Sequence, residues 1–251
     1  MVGPALTSGR VTDIAVHPTN KDLWYIAAAS GGVWITKNHG ITFQPIFDGY
    51  GSYSIGCVEL APSNPSAVWV GSGENNNQRS VSYGDGVYKS VDGGKSFTNM
   101  GLKQSEHIGS IVIHPTNENV LWVAAYGPLW SKGGERGVYK SVDGGKTWKR
   151  TLFVSDDTGI AEVVIDPSNP EILYASAHQR RRHEWTYIGG GPESTLYKST
   201  DGGETWREIA AGLPKSDMGR IGLAVSPADP NWVYAIVEGR YDKGGVYLST
   251  N

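Results

Sequence analysis

Short apolar runs alternate with polar turns along the whole chain, and one such pattern recurs five times. Its first element is an apolar strand that ends in a proline turn. It reads Ile14-Ala-Val-His17-Pro18, Val58-Glu-Leu-Ala-Pro62, Ile111-Val-Ile-His114-Pro115, Val163-Val-Ile-Asp166-Pro167 and Leu223-Ala-Val-Ser-Pro227. Each copy leads into a run such as Leu121-Trp-Val-Ala-Ala125 or Trp232-Val-Tyr-Ala-Ile236, whose β-branched and aromatic residues favour strands. A variable loop follows. Then comes a third strand and a tight turn, as in Gly86-Val-Tyr-Lys-Ser-Val-Asp92-Gly-Gly and Gly137-Val-Tyr-Lys-Ser-Val-Asp143-Gly-Gly. Further copies surround Asp201 and, in a degenerate form, Asn38, and the last breaks off at Asn251. The Asp or Asn positions recur at intervals of roughly 50–58 residues, enough for one four-stranded sheet each.

Two motifs kept in step through five registers predict an all-β propeller of four-stranded antiparallel blades. The expected repeats are about 9–52, 53–107, 108–158, 159–218 and 219–251 plus 1–8, within a single domain spanning 1–251. The fifth repeat has its third strand, Gly245–Ser249, at the end of the chain. The segment Met1–Leu6 precedes the first inner strand, so residues 2–7 are expected to pair with 245–250 and close a five-bladed ring. A ring left open would expose a strand edge suited to self-association.

Composition agrees with many short strands and tight turns: 34 Gly, 13 Pro, 9 Trp and 13 Tyr in 251 residues. A net charge of −3 argues against a general nucleic-acid surface. No apolar run is long enough to span a membrane as a helix. Cys57, the only cysteine, sits in an apolar stretch and reads as a small buried hydrophobe. Asn38, Asp92, Asp143 and Asp201 read as turn-builders: each oxygen accepts backbone N–H groups while the glycines supply positive φ.

Chemistry is expected at the opposite end of the sheets, where loops are long and variable. Three stand out, spanning 73–85, 126–136 and 178–187. They carry Glu74 and Arg79; Trp130 and Arg136; and Arg180, Arg182 and Trp185. The links between repeats add Tyr53, Glu106 and the arginines Arg10 and Arg220, both of which precede innermost strands. Guanidiniums and aromatic plates suit an anionic or polyhydroxyl ligand. Glu74 and Glu106 are the candidate acid and base for glycoside hydrolysis. The arginine run 180–182 reads either as an anion clamp or as inter-sheet ion pairing. Trp130 and Trp185 either stack on sugars or pack their loops down. No metal site and no cofactor are expected.

The pattern Ser-x-Asp-x-Gly-x-Thr-Trp, as in Ser141–Trp148, is similar to the Asp-box, or BNR repeat, of sialidases and sortilin-type propellers. The whole chain resembles the N-terminal part of bacterial propeller proteins of the sialidase-like superfamily that carry a glycosyl hydrolase label. The resemblance implies a glycan ligand with glycoside hydrolase activity, or a peptide or protein ligand in the sortilin manner, or an architectural piece of a larger protein. It implies an extracellular or periplasmic setting. A sialidase-type site would draw on Arg10, Arg220, Tyr53, Glu74 and Asp157 as the residues of the right types at the long-loop face.

Overall fold

The structure, a computed structural model, describes residues 10–250. The first sheet holds β1 (Val11–Val16), β2 (Trp24–Ala28), β3 (Gly32–Thr36) and β4 (Gln44–Pro45). The second holds β5 (Ile55–Ala61), β6 (Asn64–Ser72), β7 (Val87–Ser90) and β8 (Thr98–Asn99). The third holds β9 (Ile108–Ile113), β10 (Leu121–Ala125), β11 (Gly137–Ser141) and β12 (Lys149–Leu152). In the fourth, a small hairpin of β15 (Arg181–Arg182) and β16 (Tyr187–Ile188) interrupts the order β13 (Thr158–Ile165), β14 (Leu173–Gln179), β17 (Thr195–Ser199), β18 (Arg207–Ile209). The fifth has β19 (Met218–Val225), β20 (Val233–Gly239) and β21 (Gly245–Ser249). Every pairing is antiparallel between chain neighbours, so each sheet is a meander and the fold is the expected propeller of Asp-box blades.

The innermost strands β1, β5, β9, β13 and β19 pack one against the next in chain order. Alternation along the strands drives this packing. Val33, Ile35, Val58, Leu60 and Val68 form the core between sheets one and two, and comparable clusters fill the three later junctions. Cys57 is buried, as a small hydrophobe should be. Three of the innermost strands also reach sideways to the next. Asp13 accepts the Val58 N–H (3.0 Å), Ser110 the Val163 N–H (2.9 Å) and Glu162 the Leu223 N–H (2.8 Å).

Among the described elements, the first and fifth sheets do not pack together as their neighbours do. Their outward faces carry exposed apolar side chains: Ile14 and Val16 on β1, and Ile236, Val246 and Leu248 on the fifth sheet. Of the expected clasp between 2–7 and 245–250, residues 2–7 lie outside the described ones.

The Asp-box turns follow their chemistry. In the third sheet Asp143 Oδ1 accepts the Thr147 N–H (2.9 Å), and its Oδ2 accepts the Thr147 hydroxyl (2.6 Å). Ser141 Oγ accepts the Gly145 N–H (2.8 Å) and donates to Asp143 (2.8 Å). The set repeats at Asp92 and Asp201. At Asn38 the amide oxygen accepts the Thr42 N–H (2.9 Å) and the amide nitrogen donates to the Thr42 hydroxyl (2.9 Å). Hydrogen bonding by the turn's own hydroxyl, led by Thr147 and Thr205, holds Asp143 and Asp201 down to about 2.

Candidate functional site

The β6–β7 loop is the centrepiece of the long-loop end. Its two ends are tied to neighbouring segments. Gly73 N donates to Ser54 O (2.6 Å), Glu74 N to Ser54 Oγ (2.9 Å), Gly84 N to Glu106 O (2.7 Å) and Asp85 N to Ser72 Oγ (2.8 Å). Its middle crosses the propeller axis and is gripped from every other sheet. Arg10, leading into β1, pairs with the Glu74 carboxylate. Asn75 Nδ2 donates to Gly109 O in β9 (3.0 Å). From the fourth sheet, Arg180 Nη1 donates to Asn76 O (2.9 Å) and Asn77 Oδ1 (2.8 Å), and Arg182 bonds Asn77 O. Arg220 of β19 donates to Asn75 O (3.2 Å).

Beneath this loop lies the central cavity, about 730 Å³. Arg10, Arg220, Asn75 and Asn76 line it beside inner-strand residues that include Asp13, Glu59 and Glu162. Burial raises all three carboxyls, and the neighbouring Asp13 charge adds to the rise at Glu59, which reaches about 7. The sequence reading overlooked these three. Their signal was a charged residue inside an otherwise apolar inner strand, as in Cys57-Val-Glu59-Leu. Among the described residues no cluster of His, Cys, Asp and Glu is arranged to hold a metal ion.

The arginine candidates differ from the anion clamp that was one of two expectations. Arg136 is fully buried and its hydrogen bonds go to carbonyls of its own loop: Tyr126 (3.0 Å), Pro128 (2.6 Å), Ser131 (2.9 Å) and Gly133 (2.9 Å). Arg180 is equally buried, with its guanidinium 3.4 Å from the Tyr126 ring centre. Burial lowers both to about 10, which leaves them charged at neutral pH. Arg181 pairs with Asp157 (2.5 Å), and Arg182 lies over Tyr187 (4.5 Å). Loop carbonyls satisfy the guanidinium of Arg136, whereas the Nε of Arg180, Arg181 and Arg182 is buried without a hydrogen-bond partner among the described residues. The run organises loops; a ligand cannot reach Arg136 or Arg180.

Glu74 and Glu106 lie on adjoining segments in different company. Glu74 is buried, bonded to Arg10 and Asn76. Glu106 is partly buried at a backbone φ of 62°, and desolvation raises its carboxyl against the pull of Arg136 and Arg180. His178 Nε2 meets the Gly189 carbonyl (3.1 Å), which can only accept, so Nδ1 is bare and accepts from the Tyr126 hydroxyl. Burial lowers His178 to about 3, so it stays neutral.

The aromatic candidates sit outermost. Trp185 is 79% exposed and stacks on His183 at 5.5 Å; Trp130 is 39% exposed. Tyr53 at 62% and Tyr83 at 63% join them, the latter absent from the sequence-based candidates. These rings stand on adjacent segments. Ser52 Oγ donates to Tyr83 O (2.9 Å), Arg79 to Glu184 O (3.2 Å) and Arg182 N to Leu129 O (2.9 Å).

Comparison with known proteins agrees with this architecture. The BNR/Asp-box repeat model matches residues 197–208. The chain is 24% identical over 94% of its length to Xyloglucanase Xgh74A of Acetivibrio thermocellus, and spans 30% of that protein. An ancestral GH74 enzyme superposes over 97% of this chain and 30% of its own, with a TM-score of 0.70 and 22% identity. The GH74 enzyme of Niastella koreensis superposes over 95% of this chain and 36% of its own, with a TM-score of 0.68 and 22% identity. The sortilin-type resemblance finds no support in these relatives. The chain carries a BNR/Asp-box repeat and has the β-propeller fold of the GH74 enzymes.

Proposed function

We propose that this chain is a glycan-binding propeller that holds a xyloglucan-type polysaccharide across its long-loop face. The observation that carries the proposal is the set of exposed rings Tyr53, Tyr83, Trp130 and Trp185 on adjacent, mutually hydrogen-bonded segments. Sugar rings stack on such plates through their C–H faces, and rigid loops reduce the ordering cost of binding. The xyloglucanase relatives supply the ligand class. A xyloglucan-type ligand supports an extracellular or periplasmic setting. Titration calorimetry with xyloglucan oligosaccharides tests the proposal. Trp185→Ala and Trp130→Ala are each expected to weaken binding about tenfold, the loss of one stacked ring. No binding by the parent chain, or unchanged affinity in both variants, would overturn it.

Glycoside hydrolysis is a second reading, favoured by Glu106. A carboxyl raised by burial at the same face suits a general acid, with Glu74 the candidate base. The chain spans about a third or less of the xyloglucanases it matches, so hydrolysis is proposed for the whole protein. A chromogenic-glycoside assay of the parent beside a Glu74→Gln, Glu106→Gln double variant decides it. Turnover lost in the variant supports hydrolysis by these carboxyls; turnover kept removes them.

A further inference from the structure

His107 leads into β9 and is fully buried, yet neither of its ring nitrogens has a hydrogen-bond partner among the described residues. The Nε of Arg180 is buried in the same condition. Both residues gather around one short stretch of backbone, Tyr126-Gly127. His107 O accepts the Tyr126 N–H (2.9 Å), Arg136 Nη1 donates to Tyr126 O (3.0 Å) and Arg180 Nη2 donates to Gly127 O (3.3 Å). The Arg180 guanidinium also lies 3.4 Å from the centre of the Tyr126 ring. Gly127, at φ 75°, permits this crowding: a Cβ there would come within 2.3 Å of the Arg136 side chain.

The charges at this point do not balance. Arg136 and Arg180 are both fully buried and both cationic at neutral pH. Among the described residues no carboxylate hydrogen-bonds either one. Arg136 donates to loop carbonyls, and Arg180 to Asn76 O, Asn77 Oδ1 and Gly127 O. The Glu106 charge reaches both, but burial raises that carboxyl towards its neutral form. Asp157 reaches Arg136 from its own pairs with Arg181 and Lys132. Burial, then Arg180 and Arg136, hold the His107 imidazole well below its ordinary value, so it stays neutral. Interior charges are costly unless paired, and buried donors are costly unless bonded. A water molecule would satisfy the donors and leave the charge. An anion answers both.

We propose that His107 and Arg180 enclose a small monovalent anion of halide size between the third and fourth sheets, bound by Arg180 Nε–H and one His107 N–H. The neutral imidazole offers one N–H in either tautomer, so the ring donates without being protonated. Burial sets the size limit. Both side chains are closed to solvent, so the ion is a structural one, enclosed as the loops close over it. Because Arg180 also holds Asn76 and Asn77, the ion bears on the loop that crosses the axis.

Thermal unfolding of the 251-residue chain tests this, with sodium chloride or bromide titrated against sodium gluconate at constant ionic strength. The melting temperature should rise saturably with halide, by at least about 3 °C, because an ion bound by the folded form alone stabilises it by mass action. His107→Phe keeps a flat ring, removes both nitrogens and should lose that rise. Equal melting temperatures in halide and gluconate, or a rise that persists in His107→Phe, would overturn the proposal. Should His107→Phe fail to fold, crystals of the wild-type chain grown in bromide decide by anomalous diffraction at the bromine edge. A bromine peak in contact with Arg180 Nε and the His107 ring supports the site. Water density there without anomalous signal, or bromide only elsewhere, sinks it.

Discussion

Glu59 shows how one buried side chain sets the pH response of this fold. Its carboxyl stands at about 7 because burial, and then the Asp13 carboxylate, disfavour its charge; in an unfolded chain it would titrate near 4.5. A folded pKa raised in this way contributes stability that is complete below about 4.5 and lost as pH rises through 7. Asp13 and Glu162, also raised, slope the same way. His178 slopes oppositely. Burial holds it at about 3 against an ordinary 6.5, so its contribution is complete above 6.5 and lost as pH falls. Wild-type stability therefore mixes two trends between pH 4.5 and 7, and substitution separates them. Glu59→Gln keeps the shape and removes the charge. Relative to wild type it should gain of order 2 kcal/mol on going from pH 5 to pH 8, measured by urea unfolding at both values. An equal pH difference in the two proteins would mean that the Glu59 carboxyl is not held in its protonated form. The sequence contained the clue in Glu59 itself, a charge between Val58 and Leu60. What it lacked was the axis, because only the assembled ring tells which face of an inner strand borders the cavity.

The Asp-box turn is the element at which sequence and structure agree best, and the reason is locality. Asp143, Ser141 and Thr147 bond within one another's reach along the chain, so a short pattern fixes the geometry whatever surrounds it. The amide of Asn38 performs the same bonds without a charge, which makes the motif a device for turn geometry. Ser141 is its buried hinge. With Ser141→Ala the Gly145 N–H loses its acceptor inside the protein, a cost of about 1–3 kcal/mol in urea unfolding. A loss below about 0.5 kcal/mol would mean that Gly145 finds another partner. Gly145→Ala should cost more, because the new methyl meets Trp69 and strains a residue at φ 87°. The second damage is not local: it acts on the junction between sheets two and three. The blade plan was legible because both motifs recur in step, whereas the Gly-Gly turn's role as the inter-sheet lock depends on rings some seventy-five residues away and needed the structure.

For the whole molecule the decisive contact set is the one between the β6–β7 loop and the arginines of the other sheets. The sequence showed arginines, carboxylates and long loops at one end, and that placement invites a ligand for every charge. The structure gives many of those charges to the protein itself. Arg10, Arg180, Arg182 and Arg220 converge on Glu74, Asn75, Asn76 and Asn77, so the loop acts as a keystone across the axis. Sequence could not show this, because Arg180 and Asn76 are 104 residues apart and a side chain bonded to a carbonyl leaves no trace in residue type. The exposed aromatics gain from the arrangement, since Tyr83 and Trp185 stand on the two loops that the keystone joins. Loosening it should therefore act at a distance. Arg180→Lys keeps the charge but gives up the forked contact that bonds Asn76, Asn77 and Gly127 together. Amides of residues 75–78 should then exchange with solvent at least about tenfold faster, while those of β5 and β9, held in their own sheets, keep their protection. Affinity for the proposed xyloglucan-type ligand should fall although Arg180 is fully buried. Faster exchange with unchanged glycan affinity would separate the keystone from the binding face. Unchanged exchange would mean that Arg10, Arg182 and Arg220 suffice to hold the loop, with Arg180 serving only its stack on Tyr126.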